Sequence, residues 1–208
     1  MNEEAVYDAR LELVDFAIEV FWDTPSEEFV VRLLDDEPVL PAESINDPLD
    51  EGFDVLRGWL EQNRGRPVEV VCDELSREYT ELFVGPRPPV LPHESYYRED
   101  TQYLGDGLAR VEESYRAAGW LPPEEYPEES DFIAVELAFL RNLIERQRAG
   151  QEETVGFERV FIEDHLTQWI DVFVEELRQE AEPGLYLAAA LVVQGLVEFE
   201  EEIVVQLA

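Results

Sequence analysis

Histidine and cysteine are scarce in this sequence, and they are side chains that often supply metal ligands, bases and nucleophiles. The two histidines are His93, in a proline-rich stretch, and His165, in a helical pattern. Helical di-iron sites need a glutamate three residues before a histidine, but Val90 and Ile162 occupy these positions. The motifs HExxH, GxSxG, GxGxxG and the Walker A loop are also missing from the sequence. We therefore predict that the protein is not an enzyme, with no catalytic residue, metal site or cofactor.

Cys72 and His165 each have a structural and a functional interpretation. Cys72 stands in an apolar helical pattern, which favours a buried, unreactive thiol, and a single cysteine excludes an intramolecular disulfide. His165 lies four residues from both Phe161 and Trp169, on a face that turns toward the core. It is therefore either a hydrogen-bonded core histidine or a residue that contacts a bound peptide.

The charge of the chain is strongly negative. Fifty acidic residues stand against 15 basic ones, all of them arginine, and the formal net charge is -35. The hydrophobic fraction of 45% is too high for a disordered acidic chain. We predict a folded, halophile-adapted protein, because at molar salt the Debye length falls to roughly 3 Å and surface repulsion is screened. Arg64 and Arg66 form the one basic cluster, so we expect no nucleic-acid partner.

The sequence predicts neither a secretion signal nor a membrane-spanning segment. Met1–Glu4 is acidic, whereas a secretory signal begins with positive charge. The longest apolar run, Leu185–Val193, is about half a membrane span. We expect a cytoplasmic protein in a reducing compartment, without stable membrane insertion.

Apolar residues recur at three- and four-residue steps through most of the chain, which is typical of amphipathic helices. The pattern predicts an all-α fold, a single-domain helical bundle of about eight helices over residues 1–208. Thr24 is predicted to cap the second helix, with Pro25 at its first position. Later helices are predicted from Pro48 to Asn63, from Val68 to Phe83, from Leu104 to Ala118, and from a cap at Ser130 to Ala149.

Two further features concern the organisation of the bundle. Gly85–Pro92 contains four prolines, which predict a stiff and largely extended loop. The helix after Ser130 and the segment Leu185–Leu196 are apolar on two faces, so we expect both to lie centrally, with other helices around them.

Three sequence blocks resemble those of a known family. Glu78–Pro86 followed by Pro92–Tyr97 is similar to the Tyr-x-x-Leu-Phe-x-Gly and Pro-x-Glu-Ser-x-Tyr blocks of the TorD/DmsD-type (NarJ-related) family of redox-enzyme maturation chaperones. Asp131–Leu140 resembles the Glu-Pro-x-Asp-His stretch of that family and the helix after it, and Phe161–Trp169 resembles its Phe-x-x-x-His-Leu-x-x-Trp helix.

The second block departs from the family at two positions. Glu129 and Phe132 stand where the family has Pro and His, whereas Glu128 and Asp131 are kept. A client contact attributed to the family histidine therefore does not carry over to this chain.

The resemblance implies a cytoplasmic chaperone that binds the precursor of a molybdopterin-dependent oxidoreductase, through its twin-arginine signal peptide or its apo form, before cofactor insertion and export. Such a leader offers an arginine pair and an apolar segment, which suit a groove lined by aromatics and carboxylates. The candidate peptide-binding residues are Tyr79, Phe83, Pro92, Glu94, Ser95, Tyr97, Glu128, Asp131, His165 and Trp169.

Several alternatives stay open at this point. Core packing explains each candidate aromatic taken singly. Asp131 is predicted in the first turn of its helix, where the helix dipole favours any carboxylate. A nitrate-reductase-type assembly chaperone for a non-leader region, a small-ligand-binding helical enzyme and a generic helical scaffold are the competing functions. The protein is expected to be a monomer or a domain-swapped dimer.

Overall fold

The computed structural model describes residues 3–35, 40–41, 43–98, 104–122 and 129–207. In this part of the chain the fold is built from helices. The helical segments are α1 Glu3–Phe21, α2 Glu27–Asp35, α3 Asp47–Asn63, α4 Val68–Phe83, α5 Glu94–Tyr97, α6 Leu104–Ala117, α7 Ile133–Arg148, α8 Thr154–Phe161, α9 Thr167–Glu180 and α10 Leu185–Leu207. A π-helical turn, Ile162–Leu166, joins α8 and α9 into one continuous rod. The predicted all-α helical bundle is confirmed, since the described residues contain eight helical rods besides the single-turn α5.

The helix starts agree with the sequence patterns in one case and differ in another. Asn46 caps α3, and its side chain accepts a hydrogen bond from the Leu49 N–H at 3.0 Å. The prediction that Thr24 caps α2 was wrong. Ser26 is the cap, because its Oγ accepts from the Phe29 N–H at 3.1 Å and the helix begins at Glu27. The carboxylate of Asp23 accepts from the Thr24 N–H instead, and this bond holds the chain in a bend before the helix.

Helices α7 and α10 lie at the centre of the bundle, as their two apolar faces predict. α10 packs against α1, α3 and α9, and α7 packs against α1 and α8. Each residue from Leu185 to Val193 is at most 4% exposed. The contact between α3 and α10 depends on Gly195, because a Cβ there would lie 2.5 Å from Leu49 Cγ. Among the described residues, no helix has both the length and the apolar character needed to cross a membrane.

The proline-rich segment after α4 runs without helical structure, as predicted, and Val90 anchors it to the core. The Val90 side chain is fully buried, and its N–H donates to the Leu82 carbonyl at 3.2 Å. This anchor directs the chain toward α7, where the next residues meet the start of that helix.

A buried charged cluster links four helices in another part of the core. Arg10 of α1 is 1% exposed, and Glu158 of α8 and Glu200 of α10 are fully buried. Arg10 Nε donates to Glu200 Oε1 at 2.7 Å, and the same guanidinium bonds to Glu158. The side-chain amide of Gln147 in α7 also donates to Glu158.

One arginine cannot neutralise two ionised carboxylates, so the cluster needs a proton. Burial, together with the neighbouring charge of Glu158, raises the pKa of Glu200 to about 8, against the opposing effect of Arg10. Near neutral pH the cluster therefore holds one arginine, one carboxylate and one protonated carboxyl group, with no net charge. Desolvation would make a second buried negative charge costly.

This proton makes stability depend on pH. The folded-state pKa of Glu200 lies above its ordinary value of 4.5. The proton therefore stabilises the fold fully at low pH, and that contribution is lost as pH rises toward 8. Glu200→Gln mimics the protonated acid, so its free energy of unfolding relative to wild type should increase from pH 5 to 8, by up to about 1.4 kcal/mol per pH unit. Denaturant titrations in molar KCl measure this difference.

The exposed neighbour Glu201 provides the control for this measurement. Glu201→Gln removes the same charge one residue along α10, and we expect its stability difference from wild type to stay constant over the same pH range. Parallel pH profiles for wild type and Glu200→Gln would show that Glu200 is ionised in the fold and would contradict the prediction.

Candidate functional site

The segment that follows the proline-rich loop is joined to the start of α7 by backbone hydrogen bonds. The carbonyl of Pro92 accepts from the Ile133 N–H at 2.9 Å, and the carbonyl of Asp131 accepts from the Glu94 N–H at 3.0 Å. An isolated antiparallel bridge pairs His93 with Phe132 at the same place. We call this pairing of residues 92–95 with residues 131–133 the clasp.

The carboxylate of Asp131 adds side-chain bonds to the clasp. Oδ2 accepts from the Ser95 N–H at 3.1 Å, and Oδ1 lies 3.2 Å from His93 Nδ1. Burial raises the pKa of Asp131, but the bonds from His93 and Ser95 outweigh burial, so the pKa lies below its usual value. The expectations for this region need two corrections. Phe132 is the N-cap of α7 rather than Ser130, and Asp131 precedes the helix instead of lying in its first turn.

The clasp places Glu94 in the interior, where cationic and polar groups surround it. Glu94 is fully buried, and both its oxygens lie near His165 Nδ1, at 3.1 and 2.9 Å. Arg98, one turn later, donates to Glu94 and also to the Asp164 carbonyl at 2.6 Å. The other ring nitrogen of His165, Nε2, lies 2.8 Å from Ser114 Oγ on α6. Helices α5, α6 and the α8–α9 rod therefore meet at one buried carboxylate.

His165 lies within the π-helical turn Ile162–Leu166. A π turn inserts one extra residue into a helix, and such turns occur often at functional sites. Phe161 and Trp169, on either side of the turn, both remain buried. The turn lets the rod bury these aromatics while His165 reaches Glu94.

A second buried carboxyl group lies beside the first. Glu136 of α7 is fully buried, and its Oε2 accepts from the Trp169 indole N–H at 3.2 Å. Burial raises the pKa of Glu136 well above its usual value, and the charge of Glu94 adds to the effect. The Tyr97 ring stacks on Trp169, with ring centroids 5.6 Å apart and planes 20° apart. The Tyr97 hydroxyl donates to Glu176 at 2.8 Å, which fixes the ring.

A polar cavity of about 530 Å³ opens next to this buried network. Its wall contains positively and negatively charged side chains, together with hydroxyl, imidazole and amide groups. The lining residues are Arg98, Arg110, Glu113, Ser114, Ala117, Asp164, His165 and Gln168. Such a wall can accept and donate hydrogen bonds, and the carboxylates of Glu113 and Asp164 suit a cationic guest. Within the described residues, no group of three or more His, Cys, Asp or Glu is arranged to hold a metal ion.

The structure brings most of the sequence-predicted residues together. Those at the clasp, the buried network and its aromatic border are Pro92, Glu94, Ser95, Tyr97, Asp131, His165 and Trp169. Tyr79 and Phe83 lie elsewhere, in an aromatic core where both rings pack against Tyr186. Glu128 lies outside the described residues. His165 is a hydrogen-bonded core histidine, 3% exposed, that also lines the cavity, and its contact with a peptide stays a prediction.

Sequence reasoning did not assign roles to Arg98, Ser114 or Glu136. The position of Glu136 held a usable signal, because apolar residues surround it at helical spacing, at Ile133, Phe139 and Leu140. Nothing local marks Arg98 or Ser114, since their partners Glu94 and His165 become neighbours only when α5, α6 and the α8–α9 rod pack together.

Comparison with known proteins agrees with the resemblance in the three sequence blocks. Residues 43–175 match the profile of the family described as nitrate reductase delta subunit. Chaperone protein TorD of Vibrio parahaemolyticus is 29% identical over 186 residues, covering 86% of this chain and 81% of that protein. TorD of Vibrio atlanticus is 28% identical over 169 residues, 78% of this chain and 73% of that protein. TorD of Photobacterium profundum is 30% identical over 126 residues, 56% of this chain and 57% of that protein.

The family match covers the clasp, the buried Glu94 network and the π turn, and the curated relatives are named as chaperones rather than as enzymes. The chain therefore belongs to the nitrate reductase delta subunit family, the TorD/NarJ-type family of chaperones, which is not a family of enzymes.

Proposed function

We propose that this protein is a cytoplasmic maturation chaperone for the precursor of a molybdopterin-dependent oxidoreductase of the DMSO/TMAO reductase type. In this role it binds the twin-arginine leader, the apo form, or both, until the cofactor is inserted and the precursor is exported. The relatives named TorD support this class of function. A chaperone of this kind needs no catalytic activity. It needs only a site that binds a peptide segment and releases it.

The observation that carries the proposal is the convergence of three sequence blocks beside one cavity. The clasp and Glu94 come from the first two blocks, and His165 comes from the third. Arg98 and His165 extend from this network to the wall of the 530 Å³ cavity. A network built only for stability would not need to border an open polar cavity.

The cavity wall offers contacts for a cationic leader. Glu113 and Asp164 line it and are both exposed, so their carboxylates can reach a guest. An arginine guanidinium forms two parallel bonds with a carboxylate, whereas a lysine ammonium cannot. Asp164 also accepts from Arg98 through its backbone carbonyl, which leaves its carboxylate for the client.

A second candidate function is supported by the family profile itself, whose description refers to a nitrate reductase subunit. In that case the client is a non-exported reductase subunit, and the chaperone binds a region other than a twin-arginine leader. Both candidates predict the same fold and the same cavity. They differ in the peptide that binds.

Leader binding is the first prediction of the proposal. In molar KCl, titration calorimetry of the purified protein with twin-arginine leader peptides from molybdenum reductases of its host should show saturable binding. Replacing the arginine pair with Lys-Lys should weaken it, because the bidentate bonds are lost. If the folded protein binds no leader at all, the proposal fails in its leader form and the nitrate-reductase-type candidate takes its place.

The cavity carboxylates provide a second prediction. The double variant Glu113→Gln, Asp164→Asn should weaken binding of the arginine leader by roughly two- to thirtyfold, because each exposed ion pair contributes about 0.2–1 kcal/mol. A matched control, Glu163→Gln with Glu175→Gln, removes the same charge from exposed positions outside the cavity wall. Equal losses in both double variants would show that net charge, and not the cavity, attracts the leader.

Asp131 provides a third prediction, which separates positioning from direct contact. Asp131 is 1% exposed, so it acts on a client through the clasp and cannot touch the client itself. Asp131→Asn keeps an acceptor for Ser95 but loses the charged bond to His93. Its melting temperature should fall by roughly 2–10 °C, with weaker leader binding in parallel. A weakened complex with unchanged melting, by calorimetry, would instead show direct contact.

A further inference from the structure

Two fully buried carboxyl groups, those of Glu94 and Glu136, interact electrostatically next to the cavity wall. Glu94 receives hydrogen bonds from Arg98 and from the His165 ring. Glu136 receives one bond, from the Trp169 indole N–H to Oε2. Its other oxygen, Oε1, is buried and receives no N–H or O–H bond among the described residues. The carboxyl of Glu94 is the neighbouring group that acts most strongly on Glu136, and together with burial it raises the pKa of Glu136 well above its usual value.

Two ionised carboxylates cannot hydrogen-bond to each other, because each only accepts. A bond forms when one of them carries a proton and donates it. Glu94 has a guanidinium and an imidazole to stabilise its negative charge, whereas Glu136 has one neutral indole N–H. The proton therefore belongs on Glu136, and the apparent lack of a partner for Oε1 marks the oxygen that carries it.

The charges around the pair agree with this assignment. α5 contributes Glu94 and Arg98, the π turn contributes His165, and the residues before α7 contribute Asp131, which pairs with His93. With a proton on Glu136, Arg98 balances Glu94. Without the proton, a second negative charge would be buried next to Glu94 and Asp131, and desolvation and repulsion both oppose that state.

We propose that Glu136 is a positioning residue that carries a proton near neutral pH and donates it to Glu94, holding that carboxylate toward His165 and Arg98 in the cavity wall. His165 Nδ1 lies 2.9 Å from Glu94 Oε2, and its Nε2 lies 2.8 Å from Ser114 Oγ, so an ionised Glu94 favours the tautomer that donates from Nδ1 and accepts at Nε2 from the Ser114 hydroxyl. The proton on Glu136 thereby sets the tautomer of a residue that lines the cavity.

The variants Glu136→Gln and Glu136→Met separate a donated hydrogen bond from simple filling of space. The amide of Gln can donate to Glu94 and accept from Trp169, as the protonated acid does, whereas Met fills similar volume without either bond. We therefore expect Glu136→Gln to preserve the site and Glu136→Met to disturb it.

Infrared spectroscopy detects the proton directly. At pH 7 the wild-type spectrum should contain a C=O stretch of a protonated carboxylic acid that is missing from Glu136→Gln. The Glu200→Gln variant provides the matched control, because it removes a different buried carboxyl group that holds a proton and should leave the Glu136 band in place. If the wild-type and Glu136→Gln spectra agree in this band, Glu136 is ionised and the inference is overturned.

Nitrogen NMR of the imidazoles reports the consequence for the cavity. The chain has two histidines, so a His93→Gln variant assigns both sets of signals. The His165 tautomer and its pH titration should be retained in Glu136→Gln and changed in Glu136→Met. An unchanged His165 in Glu136→Met overturns the positioning role, and if that variant does not fold, a changed His165 in Glu136→Gln does the same.

The effect on a client rests on the proposed function and is measured separately. Leader affinity should be retained in Glu136→Gln and fall about tenfold in Glu136→Met. If the wild-type protein binds no leader while the infrared and NMR results are as expected, the leader function fails and the role of Glu136 stands. If the wild type binds the leader but the infrared band does not change, the role of Glu136 fails and the function stands.

Discussion

The clasp between residues 92–95 and the start of α7 is the interaction on which the arrangement of the site depends. The hydrogen bonds that Asp131 and Pro92 accept connect a chain segment with little regular structure to a central helix. They bring the single turn α5 against the α8–α9 rod, so that Glu94 reaches His165. A four-residue helix has too few internal hydrogen bonds to hold a position by itself. Its geometry is therefore set by the partner helix.

Two buried clusters in this acidic protein each combine one arginine with two carboxyl groups. Arg10 forms an ion pair with Glu158, and Arg98 forms an ion pair with Glu94, so the arginine balances one negative charge in each cluster. Arg10 also bonds to Glu200, but one arginine balances only one negative charge, so the second carboxyl group of each cluster is kept neutral by a proton. Both clusters contact the α8–α9 rod, one near its start and one at the π turn. The rod thus joins a stability element and the candidate site.

High salt would act differently on the surface and on these clusters. Many surface ion pairs, such as Arg178 with Glu51, are about two-fifths exposed and would be screened in molar salt. The buried clusters are shielded from mobile ions, so their geometry would persist. Halophilic adaptation stays a prediction from composition. If it holds, hydrogen-bond geometry in the cavity would contribute more to client selection than long-range attraction.

The helical period in the sequence determined the fold class, the central positions of α7 and α10, and the bounds of α4, because residues three and four apart meet on one helix face. The sequence blocks indicated the family. They also supplied ten candidate residues, and the structure brings seven of these to the site. Cap positions were less certain, since Ser26 and Thr24 both carry hydroxyls and local bonds chose between them. Tertiary packing decided which carboxylates are buried and what they pair with: Arg10 and Glu200 are 190 positions apart, and Glu94 and His165 are 71 apart. The helical period shows which residues share a face of one helix. The charge state of a buried carboxyl group depends instead on the side chains that several helices place around it.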